Sequence, residues 1–207
     1  AKSLQLSVSN GYHKALPNYA RLFLLGWYFD EDFETFDTYM RMAAQKDLIE
    51  GIAYIGEYAL IGDTDEKKQE GLKYLKMAAD RNHIRSIYKL GRVYLDGELV
   101  GKDYKKGISY IEFAHQNKNN EATKYLCNAY VFEDKQNLNK AIDICQKNAA
   151  NGDMMNQMSL SWAYSNTNDV VKCYAWSSIG LSKASAEKHI GFTEQFRALK
   201  DICYQSM

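Results

Sequence analysis

Apolar residues recur at spacings of three and four along almost the whole chain, in blocks broken by short polar turns. That is the period of an amphipathic helix. The blocks predict helices over residues 19–29, 33–45, 49–61, 66–81, 83–96, 104–117, 121–132, 138–151, 154–165 and 170–183, with a long terminal helix over 186–204. Residues 1–11, AKSLQLSVSNG, read as the second helix of a pair, although Leu4, Leu6 and Val8 also alternate as a strand would. Asn10-Gly11 closes that stretch as Asn151-Gly152 closes a later helix, with the glycine that helix ends favour. Residues 13–18, with Pro17, read as an irregular entry.

Superposing the blocks exposes two columns. After a Leu or Ile, the first helix of each pair carries a small residue at Gly26, Gly56, Gly91, Cys127 and Ser161, with Phe29, Ala59, Tyr94, Tyr130 and Tyr164 three residues on. The second helix carries a bulky residue at Tyr39, Tyr74, Tyr110, Ile144 and Trp176. Both columns advance by 30–36 residues, so the chain contains an internal repeat of about 35 residues. A lone helix pair cannot bury its apolar face, whereas stacked pairs bury it against one another. The reading is one domain over 1–207, with a partial preceding repeat and entry in 1–18, five repeats in 19–183 and a capping helix in 184–207. Ile190, Phe192, Phe196, Leu199 and Ile202 fall mostly on one stripe of that last helix, with charges between them.

The clearest unit, IYKLGRVYLDGELVGKDYKKGISYIEFA over 87–114, resembles the Sel-one-like repeat (SLR) family, relatives of the tetratricopeptide repeats. LGRVYLDG is similar to that family's leucine-glycine helix, and ELVGKDYKKG to its longer loop. The resemblance implies an all-α, right-handed α-solenoid of about five helix-pair repeats with a C-terminal capping helix. It also implies that the first helices line a concave side. Ligand-facing positions in related repeats then fall on Phe23, Trp27, Glu57, Tyr88, Arg92, Lys124, Asn128, Met158 and Trp162, with Asp30, Ala53, Leu60, Leu95, Val131 and Ser165 beside them. Trp, Tyr, Met and Arg are enriched at interfaces. The implied function is a non-enzymatic protein-binding module, most concretely a bacterial immunity protein or envelope adaptor whose protein partner is a toxin or secreted effector. The alternatives are an intracellular regulatory adaptor and a hydrolase on a repeat scaffold. A cysteine-rich subgroup of the family bridges each unit and has been linked to β-lactam binding. Its regular cysteine pairing does not appear in this sequence, so that activity is not carried over.

Composition changes this picture little. Net charge is zero, which argues against a general polyanion or nucleic-acid binder. Residues 1–66 hold 5 Lys and Arg against 11 Asp and Glu, a net charge of −6, and the remainder is +6. That asymmetry is read as solvated helix faces, and the Lys67-Lys68 and Lys105-Lys106 pairs as solubilising charges on the second helices. The motifs of phosphate loops, nucleophile elbows and zinc proteases do not occur, so no cofactor, metal site or catalytic residue is assigned. Glu31, Asp32 and Glu34 read as an acidic helix start. The four cysteines, Cys127, Cys145, Cys173 and Cys203, are expected as buried free thiols, with a Cys127–Cys145 bridge as the alternative. No apolar run reaches membrane-span length. A cleaved leader, a removed Met and a trimmed chain all fit a start at Ala1, and a periplasmic or envelope setting is preferred to the cytoplasm.

Overall fold

The computed structural model describes residues 1–25, 29–132 and 137–206, with the backbone alone at residue 132. Among them are twelve α-helices, one 3-10 turn and no strand. The helices are α1 Lys2–Ser9, α2 Leu16–Leu24, α3 Phe33–Gln45, α4 Ile49–Leu60, α5 Asp65–Asp80 and α6 Ile84–Asp96. They continue as α7 Tyr104–Gln116, α8 Asn120–Phe132, α9 Leu138–Ala150, α10 Met154–Asn166, α11 Val170–Ala186 and α12 Ile190–Gln205. Several boundaries differ from the sequence reading: α2 ends at Leu24 rather than at residue 29, and α11 runs on to Ala186 rather than stopping at 183. The entry is helical earlier than expected: a 3-10 turn over His13–Ala15 leads into α2, and Pro17 sits in its first turn, where a missing N–H costs nothing. The terminal helix starts at Ile190 rather than at residue 186, because Lys188 adopts a left-handed conformation and stops α11 first.

Turns between pairs share one backbone form. Gly11, Asp47, Asn82, Lys118, Gly152 and Lys188 all have φ between 57° and 85°. In most of these turns the next residue's N–H reaches back to a carbonyl five residues earlier, as in Leu48 to Ala43, His83 to Ala78, Asp153 to Asn148 and His189 to Ala184. The left-handed residue itself donates to the carbonyl three before it, as Asp47 does to Ala44 and Gly152 to Ala149. This is the Schellman closure, and it satisfies carbonyls that a helix end would leave open. Caps then restart the chain. The side chains of His83, Asn119 and Asp153 accept from Ser86, Ala122 and Asn156 N–H at the start of first helices. Asp32, Thr64, Asp103 and Asp169 do the same for second helices.

Two compact units are present, Ala1–Ala114 and His115–Met207. In the first, the small-residue column marks where the helices of a pair meet. A Cβ added at Gly56 would lie 2.8 Å from the Leu75 nitrogen, and one at Gly91 would lie 2.9 Å from the Gly107 carbonyl and 2.7 Å from Ile111. Beside these contacts, Ala20, Phe36 and Met40 form one core cluster and Ile52, Ala53 and Ala78 another, with Tyr39 and Tyr74 packed on them.

In the second unit the same column is chemically different. Ser161 Oγ donates to the Cys173 carbonyl at 2.7 Å, and Cys127 is bonded to Cys145. Cys173 is bonded to Cys203, which ties α12 to α11. The free-thiol expectation is therefore corrected: all four cysteines are 0–1% exposed and joined in two disulfides. In the sequence the Cys127–Cys145 bridge is only the alternative to free thiols, and nothing there pairs Cys173 with Cys203, which lie 30 residues apart. Phe196, Leu199 and Cys203 form the buried stripe of α12, and the Phe196 ring closes over Gly180.

Candidate functional site

In the first unit, α2, α4 and α6 present their open sides to a cavity of about 590 Å³, walled by the start of α3. Its apolar end is built from Leu24, Phe33, Tyr58 and Ile61, which are 42–77% exposed. Large apolar side chains left this open, side by side around one concavity, mark an interaction surface more often than a solvated face. They are held by rings behind them. Phe33 lies 5.9 Å from Phe36 and 6.2 Å from Tyr58, and Tyr58 stacks 5.9 Å from Tyr54. The Tyr54 hydroxyl donates to Asp37 at 2.8 Å, and Arg41 Nε donates to the same carboxylate at 2.7 Å. Burial pushes the Tyr54 phenol upward, and the bond to Asp37 adds to that shift. Burial also works against the Asp37 charge, but the bonds from Arg41 and Tyr54 outweigh it and hold the carboxyl below its usual range.

The rest of the lining is largely polar. Arg85 Nε donates to both Glu57 carboxylate oxygens at 2.9 and 3.0 Å. Arg21, Glu50, His83 and Lys89 stand around that pair. Burial holds the His83 imidazole below its ordinary value, against the pull of Glu57 and Glu50. Its Nδ1 faces Ser86 Oγ at 2.9 Å and accepts from the Ser86 N–H, which makes it a helix cap. Ser86 is fully buried, so this Ser–His contact presents no nucleophile to the cavity. Among the described residues no group of three His, Cys, Asp or Glu is placed to hold a metal ion.

Of the residues assigned from the sequence, Glu57 lines this cavity together with Ala53 and Leu60. Phe23 lies in the aromatic cluster behind it, stacked 4.6 Å from Phe29 and packed on the Phe36 core. Tyr88 is only 6% exposed, and Arg92 approaches Asp96 at 3.8 Å. Trp27 lies outside the described residues. In the second unit, Lys124 and Asn128 are turned to a neighbouring helix. Lys124 Nζ pairs with Asp153 at 2.6 Å, Asn128 accepts from Ser159, and the Lys124 carbonyl accepts from the buried Asn156. Met158 and Trp162 are half-buried on α10. The sequence reading did not assign Arg21, Leu24, Phe33, Tyr58 or Ile61. Leu24, Phe33, Tyr58 and Ile61 lie at or just past helix ends, off the marked face.

No protein-family profile matches the sequence, and no curated protein matches it. Solved structures do match. One is a Sel1 repeat protein from Oxalobacter formigenes, at 18% identity and a TM-score of 0.66, over 94% of this chain and 88% of that one. Another is a protective antigen of uropathogenic Escherichia coli strains, described as displaying an SLR fold, at 16% identity and a TM-score of 0.68, over 99% of this chain. The fold is the SLR fold. This chain spans about half the length of the E. coli antigen, 48% of it. In SLR terms the cavity opens on first helices α2, α4 and α6, and the Lys124–Asp153 seam joins first helices α8 and α10. No helix among the described residues is long and apolar enough to cross a membrane.

Proposed function

We propose that this SLR chain is a non-enzymatic protein-binding module that takes its partner in the groove of the first unit. The observation that carries this reading is the cluster of Leu24, Phe33, Tyr58 and Ile61, exposed together around one cavity where the ends of first helices α2 and α4 meet the start of second helix α3. Hot spots on protein partners are large side chains in pockets ringed by contacts that exclude water, and this cluster has that form. The absence of enzymatic activity is part of the same proposal. The groove's one imidazole is engaged as a helix cap, with a serine that substrate cannot reach.

Within this reading the favoured role is an immunity protein or envelope adaptor acting on a toxin or secreted effector. The two disulfides support an oxidising compartment, since cytosolic thiols are kept reduced. That favours the envelope setting over an intracellular regulator.

The test takes the partner recovered by pull-down, identifies it, and titrates it against purified variants. Ile61→Asp and Leu24→Asp are expected to weaken binding by about 2 kcal/mol or more each, with helix content unchanged by circular dichroism. Lys67→Ala and Lys105→Ala, exposed on second helices, are expected to stay within about 0.5 kcal/mol. Loss of binding from the lysine changes alone would move the site off this groove.

A further inference from the structure

Resting on the groove as the binding surface, we propose that its partner segment carries an apolar anchor and, within a few residues of it, a pair of carboxylates. Apolar and charged side chains of α4 line the same cavity: Glu50, Glu57, Tyr58 and Ile61 all face it, with Glu57 directly beside Tyr58 in the chain.

The charged groups of the lining leave one positive charge in excess. Glu57 is already matched by Arg85. Among the described residues, Arg21 and Lys89 have no carboxylate within 4 Å, Lys89 lying 5.8 Å over the Tyr88 ring, and Glu50 has no cation within 4 Å. The start of α4, which carries no side-chain cap, lies among these groups and adds partial positive charge. His83 contributes no compensating anion. A lysine-bearing segment would set like charges together, and a neutral one would leave Arg21 and Lys89 without carboxylate partners. An acidic segment pairs both while its anchor covers Tyr58 and Ile61.

Three fluorescein-labelled peptides test this. Each has a Phe-Leu anchor, followed about four residues later by Glu-Glu, Gln-Gln or Lys-Lys, a spacing that lets extended chain reach about 13 Å. Fluorescence anisotropy is read at about 50 mM salt, where screening is weak. The Glu-Glu peptide is expected to bind about tenfold more tightly than the Lys-Lys peptide, with Gln-Gln between, and added salt is expected to narrow the gap. The double variant Arg21→Glu, Lys89→Glu is expected to reverse that order, and Ile61→Asp to weaken all three. Equal binding of the three peptides, each weakened by Ile61→Asp, would overturn the charge assignment and leave the groove standing. Tighter binding of Lys-Lys would overturn it too. Absence of binding by all three, or binding that ignores Ile61→Asp, would overturn the groove reading along with it.

Discussion

At the scale of single residues, the columns read from the sequence turn out to be points of contact within a helix pair. Gly91 faces the Gly107 carbonyl, where even one carbon would sit at 2.9 Å. Gly91→Leu is therefore expected to cost more than the usual 1–3 kcal/mol of overpacking, since backbone cannot step aside as a side chain can; roughly 3 kcal/mol or more should appear in a denaturant melt. An unchanged melt would mean that the two helices are not in contact there. The aromatic column was legible, but its partners were not. Lys106 lies 4.2 Å from the Tyr94 ring, Lys140 4.8 Å from Tyr130 and Lys172 5.1 Å from Tyr164. Each lysine directly precedes the small residue of its second helix, at Gly107, Ala141 and Cys173. The sequence carried that signal, yet Lys105-Lys106 reads as solubilising charge until the ring beneath Lys106 is seen. Replacing the three lysines with Gln should lower the melting temperature while leaving helix content intact, because the cation–ring attraction is lost.

At the scale of elements, the turns between pairs carry the period more faithfully than any side-chain column. The left-handed residues of the turns between pairs, from Gly11 to Lys188, follow one another at 34–36 residues. Only two of the six are glycine, so composition hides the motif; Asn10-Gly11 and Asn151-Gly152 were its visible ends. An L residue in this conformation is held at a cost that glycine avoids. Lys118→Gly and Lys188→Gly, both exposed, are each expected to raise stability by about 0.5–1 kcal/mol in a denaturant melt. Lys118→Val should do the reverse. The cap of α6 gives a pH dependence. His83 has a lowered pKa in the fold, so the unfolded chain takes up its proton first as pH falls. Stability from the neutral cap is full above about pH 6.5 and declines as pH drops through that value toward the folded pKa. Thermal melts at pH 7.5 and 5 should differ more for the native chain than for His83→Asn, which caps without titrating. Equal differences would place the acid sensitivity elsewhere.

At the scale of the whole molecule, the two units differ in what holds them. Both disulfides lie in residues 115–207, and the first unit contains no cysteine. Bridges spanning 18 and 30 residues should each contribute about 3 kcal/mol. Reduction should therefore speed amide hydrogen exchange in 115–207 and leave 1–114 nearly unchanged; equal acceleration in both would mean that the bridges do not stabilise their own unit selectively. The fold class and most helix limits were legible because period and caps are local properties. The site was less so. A rule of face positions found Glu57, Ala53 and Leu60, but could not know that Asp153 and Ser159 on α10 would occupy Lys124 and Asn128. Nor could it find Leu24 and Ile61, whose exposure depends on what fails to cover them.

The recurring left-handed turn also bears on how such a gene can change length. An insertion of about 35 codons that copies from any point in one repeat to the same point in the next carries one whole turn with it. The copied helices then meet the backbone geometry they already require on both sides. An insertion of half that length would place a first-helix face where a second-helix face belongs, and the small residue of one helix would no longer oppose the close backbone of its partner. Viable length variants of this chain should therefore come in whole repeats, and the joints should be found at positions equivalent to Asp47 and Asn82.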